Sequence, residues 1–488
     1  MRFIMGLLLL LFMWNIPPVL SEELESPNDG DTPVMFLDDL ENFDINQARQ
    51  WEAPKYGEQG QAIGYGVDTF KTPEELQERV GFWVDIYAKY TTDQGLLHDS
   101  RYVHLIYEVV DFTDIMADAK LSDRAKQRAR QNLVKQSKDK IKQRLLKLQA
   151  VKDPSGLEGE DLRYWHLFSR VEEENKFKEA TTKKRLRFQL GQKDRFYKGI
   201  YYSGSYIKEM EQIFREAGLP VELTRLPFVE SSFNVKARSK VGASGIWQFM
   251  RSTGRRFMRI TNAADERNDP LTATRSAARF LKINYDILQD WPLAVTAYNH
   301  GPSGIRNLLK KYNASSLVEL VDVRKHRFGF ASANFYSSFL AALHVEKNAD
   351  KIFGKAYWAP PLPVQKLALT KNINKQTLVR WFSENVSSAK EFNPQLKSTF
   401  WRGWYTLGLK DFVYVPQSSY QVALDEMSKM KDQKSDFTGT RSYRIASGET
   451  LSELAQRFGV SVRAIQEVNN IGNARSIRAG QKIIIPEK

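Results

Sequence analysis

The 488-residue chain has no cysteine. Disulfides and thiolate metal sites are therefore excluded, and so is a lipid-bearing cysteine behind a leader peptide. Residues 3–14 are an apolar run too short to span a membrane comfortably, and no other apolar stretch is long enough to cross one. Acidic residues are in the minority, 58 against 72 Lys and Arg, for a net charge of +14. Such a balance suits an anionic partner (nucleic acid, a membrane surface or an acidic polymer) or reflects a generally basic surface. With 42% hydrophobic and 27% charged residues the chain is globular. Its length allows two to four domains.

Met1-Arg2, the apolar run FIMGLLLLLFMW and a small residue at Ser21 read together as a secretory signal over 1–21, with Val19 and Ser21 at the −3 and −1 positions. The alternative is an uncleaved anchor. A nucleic-acid function, which charge alone suggests, sits awkwardly behind such a segment. Residues 22–75 form an acidic leader with no sustained period. Helical spacing dominates 76–190: Phe82, Trp83, Ile86, Tyr87 and Tyr90, then Leu133, Ile141, Leu145 and Leu148 in a Lys/Arg-rich stretch after Ser122. Asp153-Pro154-Ser155-Gly156 ends that stretch. It lacks interleaved aromatics, so it reads as a charged, solvated helix.

The stretch Leu226–Gly254 has the composition of a catalytic cleft. A lone carboxylate, Glu230, stands at an expected helix end behind Pro227-Phe228-Val229, followed by Ser231, Ser232 and Ser239, then Gly242, Gly245 and Trp247-Gln248-Phe249. A general acid for glycoside cleavage must hold its proton near neutral pH. Apolar walls (Phe228, Phe233, Trp247, Phe249) raise a carboxyl pKa, and the negative end of a helix does the same. Around it, Ser205 is the expected N-cap of a helix striped by Ile207, Met210, Phe214 and Ala217, ended by Gly218 and Pro220. Asp269-Pro270 and Trp291-Pro292 open two more helices, the second delivering Tyr298 and Asn299.

Glu230-Ser231-Ser232-Phe233, Ala237-Arg238-Ser239, Gly242 to Met250 (GASGIWQFM) and Ala297-Tyr298-Asn299-His300-Gly301 resemble, in this order, the motifs of the lytic transglycosylases of glycoside hydrolase family 23, over about Gln192–Asn348. The resemblance implies a mainly α, lysozyme-like catalytic domain over 191–352 that cuts peptidoglycan without metal or cofactor. It implies Glu230 as the catalytic acid and base, Ser239 and Gln248 positioning substrate, and Tyr298 and Asn299 lining the cleft. The family often carries a tyrosine on a later helix. Here Phe335 falls at that place, and Tyr336 beside it is taken as the substrate-binding candidate. A hydrolytic muramidase, using a second carboxylate such as Asp265, Glu266 or Asp269, is the rival enzyme. A non-catalytic wall-binding protein is the rival from another class.

Residues 353–439 open with Ala359-Pro360-Pro361-Leu362-Pro363 and read as a linker or a degenerate repeat of the C-terminal unit. Thr377-Leu378 through Glu391-Phe392-Asn393 echoes Thr450-Leu451 through Glu467-Val468-Asn469. In 440–488 the strand Tyr443-Arg444-Ile445, the capping box Thr450-Leu451-Ser452-Glu453, two helices separated by Gly459 and capped at Ser461, and a strand Lys482–Ile485 give a small βααβ unit. It resembles a LysM domain. That resemblance implies binding of N-acetylglucosamine units in peptidoglycan glycan strands, at the Gly448–Thr450 and Ile471–Ile477 loops. The location expected is the periplasm or, by secretion, the cell wall.

Overall fold

The computed structural model describes residues 69–322, 328–430, 440–469 and 471–486. The expected signal segment and nearly all of the acidic leader lie outside them. Among the described residues no helix is long and apolar enough to cross a membrane.

One core runs from Leu76 to Ala356. Its first element, the helix Gln77–Ala88, buries Phe82, Trp83, Ile86 and Tyr87, which are spaced to fall on one face. They pack against the helix Phe330–Lys347, in which every residue from Ser332 to Ala342 is buried. A helix buried all round belongs at the centre of a domain. Burying four such side chains is worth roughly 6–12 kcal/mol. That outweighs the two cross-links Arg79 Nη1 and Trp83 Nε1 make to Asn334 Oδ1 (3.2 and 3.3 Å), each worth about 1 kcal/mol net. Packing therefore makes the N-terminal helix part of the same body as the helix Phe330–Lys347.

The reading of 76–190 as helical needs one correction. The region also carries an antiparallel sheet in the order β2-β1-β3: β1 (Gln94–Asp99), β2 (Ile106–Asp111) and β3 (Leu186–Leu190). β1, the central strand, is buried from Gly95 to Asp99, so its sequence does not alternate and carries no period-2 signal. The long helix Asp123–Gln149 lies over this sheet. Ser122 caps it by accepting from Ala125 N, and Ser137, Ile141, Leu145 and Leu148 face inward.

The helices Lys193–Ser203, Ile207–Glu216, Leu226–Ser231, Pro270–Leu288, Trp291–His300 and Pro302–Tyr312 complete this body. Asp269 and Asp290 cap two of them, each side chain accepting at 2.8 Å from the backbone N–H three residues on. Ser205 is not an N-cap. The cap residue is Tyr206, and Ser205 Oγ instead donates to Pro360 O at 2.9 Å. Arg225, 1% exposed, precedes the helix of Glu230 and pairs with the buried carboxylates of Glu211 and Glu346. Arg225→Met removes the buried cation from between them, leaving Glu211 only its 3.5 Å pair with Arg215 on the surface side, and breaking such a buried pairing costs about 3–5 kcal/mol. The midpoint of urea unfolding should fall accordingly. An unchanged midpoint would show the cluster to be solvated.

Beyond this core, β4 (Val364–Ala368) pairs antiparallel with β5 (Phe412–Pro416), enclosing the helices Lys375–Arg380 and Val386–Phe392. β6 (Thr440–Arg444) pairs with β7 (Lys482–Pro486), enclosing Leu451–Phe458 and Val462–Asn469. The capping box forms at Thr450 and Glu453, and Gly459 ends its helix at φ 65°.

Candidate active site

Pro227 sits in the first turn of the helix Leu226–Ser231, where its missing N–H is harmless. Glu230 is the next-to-last residue. The chain then leaves through two successive left-handed residues, Ser232 (φ 50°) and Phe233 (φ 57°), whose N–H groups bond the carbonyls of Phe228 and Pro227. Ser231 Oγ donates to Ile246 O at 2.8 Å, tying this helix end to the Gly242–Met250 loop.

Glu230 is half-buried, and the expected wall residues Phe228, Phe233, Trp247 and Phe249 are each 3% exposed or less. Desolvation pushes its carboxyl up to about 8. The carboxyl has no hydrogen-bond or ion-pair partner among the described residues. Its charge in turn raises the hydroxyl pKa of Tyr298 and Tyr87, both of which burial already raises. A carboxyl that keeps its proton at neutral pH in a half-open apolar setting is equipped as a general acid.

Trp247 is fully buried, with Nε1 donating to Thr274 Oγ1 at 2.9 Å. It is part of the floor and does not face a sugar. Tyr298 is half-buried above it and donates to Trp247 O at 2.8 Å. Asn299 is exposed, and its Oδ1 accepts from Ser332 Oγ at 2.9 Å. Ser332 also lies 3.0 Å from His300 Nδ1, so one serine holds both residues after Tyr298.

Ser239 and Gln248 act within the loop. Ser239 Oγ accepts from Ala243 N at 2.9 Å, and Gln248 Nε2 donates to the carbonyls of Ala237 and Gly245. Tyr336 is not brought to Glu230. It is 2% exposed, its ring lies against Phe339, and the charge it feels is that of Asp290. Its neighbour Phe335 stacks on Tyr298 instead, with ring centroids 6.5 Å apart and planes 9° off parallel.

Three contributors escaped the sequence reading. Tyr87 reaches the floor from the N-terminal helix, stacked on Phe196, which stacks on Phe228 (4.9 and 4.7 Å). Its only sequence signal was its place on the apolar stripe. Arg267 donates through Nη1 to Gly242 O (2.7 Å) and Phe249 O (2.9 Å). Asn268 Oδ1 accepts from Ser244 Oγ at 2.6 Å. A lone Arg-Asn pair before Asp-Pro carries no signal of such bonds.

Asp265, Glu266 and Asp269, the acidic residues a second-carboxylate mechanism would draw on, are all buried and engaged. Asp265 pairs side by side with Arg267, Glu266 accepts from Arg259 N at 2.7 Å, and Asp269 caps its helix.

A family model described as Transglycosylase SLT domain matches residues 206–319, and a LysM domain model matches 443–486. The chain carries a transglycosylase SLT domain and a C-terminal LysM domain. It is similar to the membrane-bound lytic murein transglycosylase D of Escherichia coli, at 26% identity over 297 residues. The match covers 56% of this chain and 61% of that relative's length. A 47-residue stretch is 43% identical to an N-acetylmuramoyl-L-alanine amidase of Bacillus subtilis, covering 10% of this chain and 16% of that one. Among solved structures, the lytic transglycosylase Slt of Pseudomonas aeruginosa aligns at 19% identity and a TM-score of 0.25, over 32% of this chain and 27% of that chain. Glu230, Tyr298 and Asn299 all lie inside the SLT match. Tyr87 lies outside it, although the SLT domain shares its core.

Proposed function

We propose that the chain is a peptidoglycan lytic transglycosylase, a carbon–oxygen lyase that cuts the β-1,4 bond between N-acetylmuramic acid and N-acetylglucosamine. Glu230 gives its proton to the glycosidic oxygen. As the carboxylate, it then takes the proton of the muramoyl 6-hydroxyl, which closes on C1 and leaves a 1,6-anhydro end. The observation that carries this reading is the isolation of Glu230. One carboxyl, its pKa raised by desolvation, stands without a partner among the described residues, and Asp265, Glu266 and Asp269 are engaged elsewhere. A nucleophile tethered beside C1 has an effective molarity on the order of 10⁵ M or more. It outcompetes water without a second carboxylate to activate it.

In this reading Tyr298 and Asn299 line the cleft, while Ser239 and Gln248 position the loop and touch substrate only through it. Tyr336 is a core residue. The LysM domain holds glycan strands at N-acetylglucosamine units, through the exposed residues around Gly448 and Gly472–Arg475. The protein works at the cell wall, reached through the periplasm or by secretion.

Mass analysis of digests of purified peptidoglycan tests the reading. The expected muropeptides are lighter by one water than those of a lysozyme and lack a reducing muramic end. Predominantly reducing ends would assign the enzyme to the hydrolases. Asp265→Asn and Glu266→Gln should leave the product type unchanged.

A further inference from the structure

Two parts of the chain repeat each other in space, although a LysM model matches only the second. β4 and β5 pair with Val364 opposite Pro416 through Ala368 opposite Phe412. β6 and β7 pair in the same register, Thr440 opposite Pro486 through Arg444 opposite Lys482. The helices between them are capped alike. Asn374 accepts from Thr377 N as Thr450 does from Glu453 N, and Asn385 accepts from Ser388 N as Ser461 does from Ala464 N.

One asparagine per unit latches the second helix to the second strand with the same three bonds. Asn393 Nδ2 donates to Ala389 O and Tyr414 O, and its Oδ1 accepts from Tyr414 N. Asn469 Nδ2 donates to Ile465 O and Ile484 O, and its Oδ1 accepts from Ile484 N. Asn374, Asn385 and Asn393 each lie 76 residues before their counterparts Thr450, Ser461 and Asn469. This pairing corrects the sequence echo, which had set Thr377 against Thr450.

The two units differ in the loop after the latch. In the C-terminal unit, Gly472, Asn473, Arg475 and Ser476 are exposed. In the middle unit, Gln395, Leu396, Thr399 and Phe400 are buried, against the SLT-domain stretch Thr261–Asp265. Asp265 N donates to Gln395 O (2.7 Å), Lys397 N to Ala263 O (2.8 Å) and Thr399 Oγ1 to Asn262 O, with Ala264 facing Leu396 in an antiparallel bridge. Two residues on, Arg267 holds the carbonyls of Gly242 and Phe249 in the loop beside Glu230.

We infer that residues 364–416 are a second unit of the LysM fold whose loop after the latch is permanently docked on the SLT domain. It serves as a brace for the active-site loop and takes no glycan there. Digestion as a readout rests on the transglycosylase reading. Cross-linking and sacculus binding do not, so the two ideas fail separately.

Absence of cysteine makes the test clean, because an introduced pair has only itself to react with. Residues facing each other in an antiparallel bridge have Cα atoms about 4.5–5.5 Å apart, within disulfide range. In the full chain, Ala264→Cys with Leu396→Cys should close under mild oxidation. The oxidised protein should bind purified sacculi and digest them within about two-fold of its reduced form. Should that pair fold poorly, Ala263→Cys with Lys397→Cys probes the same seam. If neither pair closes in folded protein, or if oxidation lowers binding or digestion and a reductant restores it, the docked loop must leave the SLT domain and the inference is wrong. Weakening the seam with Thr399→Val should lower kcat about ten-fold, leave sacculus binding unchanged and be rescued by Thr399→Ser. An unchanged kcat would remove the brace.

Discussion

Glu230→Gln is expected to abolish digestion of purified peptidoglycan while making the folded protein more stable. The amide can neither give the proton nor take it back. A single acid or base contributes about 10²–10⁴-fold, and here one group does both. The stability gain follows from the same burial. In the unfolded chain the carboxyl titrates near its ordinary 4.5, and in the fold near 8. For a raised acid the folded state favours the neutral form, so that contribution is full below 4.5 and is lost as pH rises towards 8. At pH 7 the carboxylate costs about 2 kcal/mol, discounted for the solvent that reaches the half-open cleft. Gln carries no such cost. The difference in unfolding free energy should therefore be near zero at pH 4, grow through pH 7 and level off above pH 8. Paired chemical denaturation at these pH values measures it. A variant less stable than wild type at pH 8, or one that still digests, sinks the assignment of Glu230.

Gly245→Ala should be far more damaging than Gly242→Ala, although both glycines have positive φ (77° and 91°) and lie three residues apart. An alanine at either site adopts a left-handed conformation at a cost of about 1–2 kcal/mol. At Gly242 that is the whole cost, because no atom lies within 4 Å of the added methyl. At Gly245 the methyl would sit 1.9 Å from Arg267 O and 2.8 Å from Arg267 C. Both are backbone atoms and cannot swing aside. Relief requires moving Arg267 away from the loop, which breaks its bonds to Gly242 O and Phe249 O. Charged hydrogen bonds of this kind are worth about 1.5–3 kcal/mol each. Gly245→Ala should therefore lose about 4 kcal/mol or more, or fail to fold, and Gly242→Ala should keep most of its activity. Equal behaviour of the two variants in thermal melts and digestion assays would show that the close approach at Arg267 does not matter.

The features legible in the sequence were those set by local chemistry. Asp269-Pro270 and Trp291-Pro292 start helices because a proline in the first turn lacks only an N–H that the helix would leave unpaired. Glu230 falls one residue from a helix end, and Thr450 with Glu453 forms its box. The features that escaped depend on partners far along the chain. Tyr87 meets the catalytic helix through Phe196, more than a hundred residues later. Tyr336 and Phe335 are adjacent in sequence but point to different neighbours, which spacing alone does not decide. Arg267's reach to the loop has no local signal, because both acceptors there are backbone carbonyls distant in sequence.

The cross-link from Arg79 and Trp83 to Asn334 spans 255 and 251 residues. It therefore sets an order of events during synthesis. The helix Gln77–Ala88 leaves the ribosome early with Phe82, Trp83, Ile86 and Tyr87 uncovered, and its partner helix is not complete until Lys347. At 5–20 residues per second that interval is roughly 10–50 s. Closing so long a loop also slows folding compared with a bundle whose neighbouring helices are consecutive. A fragment cut at the SLT match, 206–319, lacks both of these helices and so bares the core they share. Nascent chains arrested before Phe330 should be cut by protease within 77–88, and chains that have passed Lys347 should not.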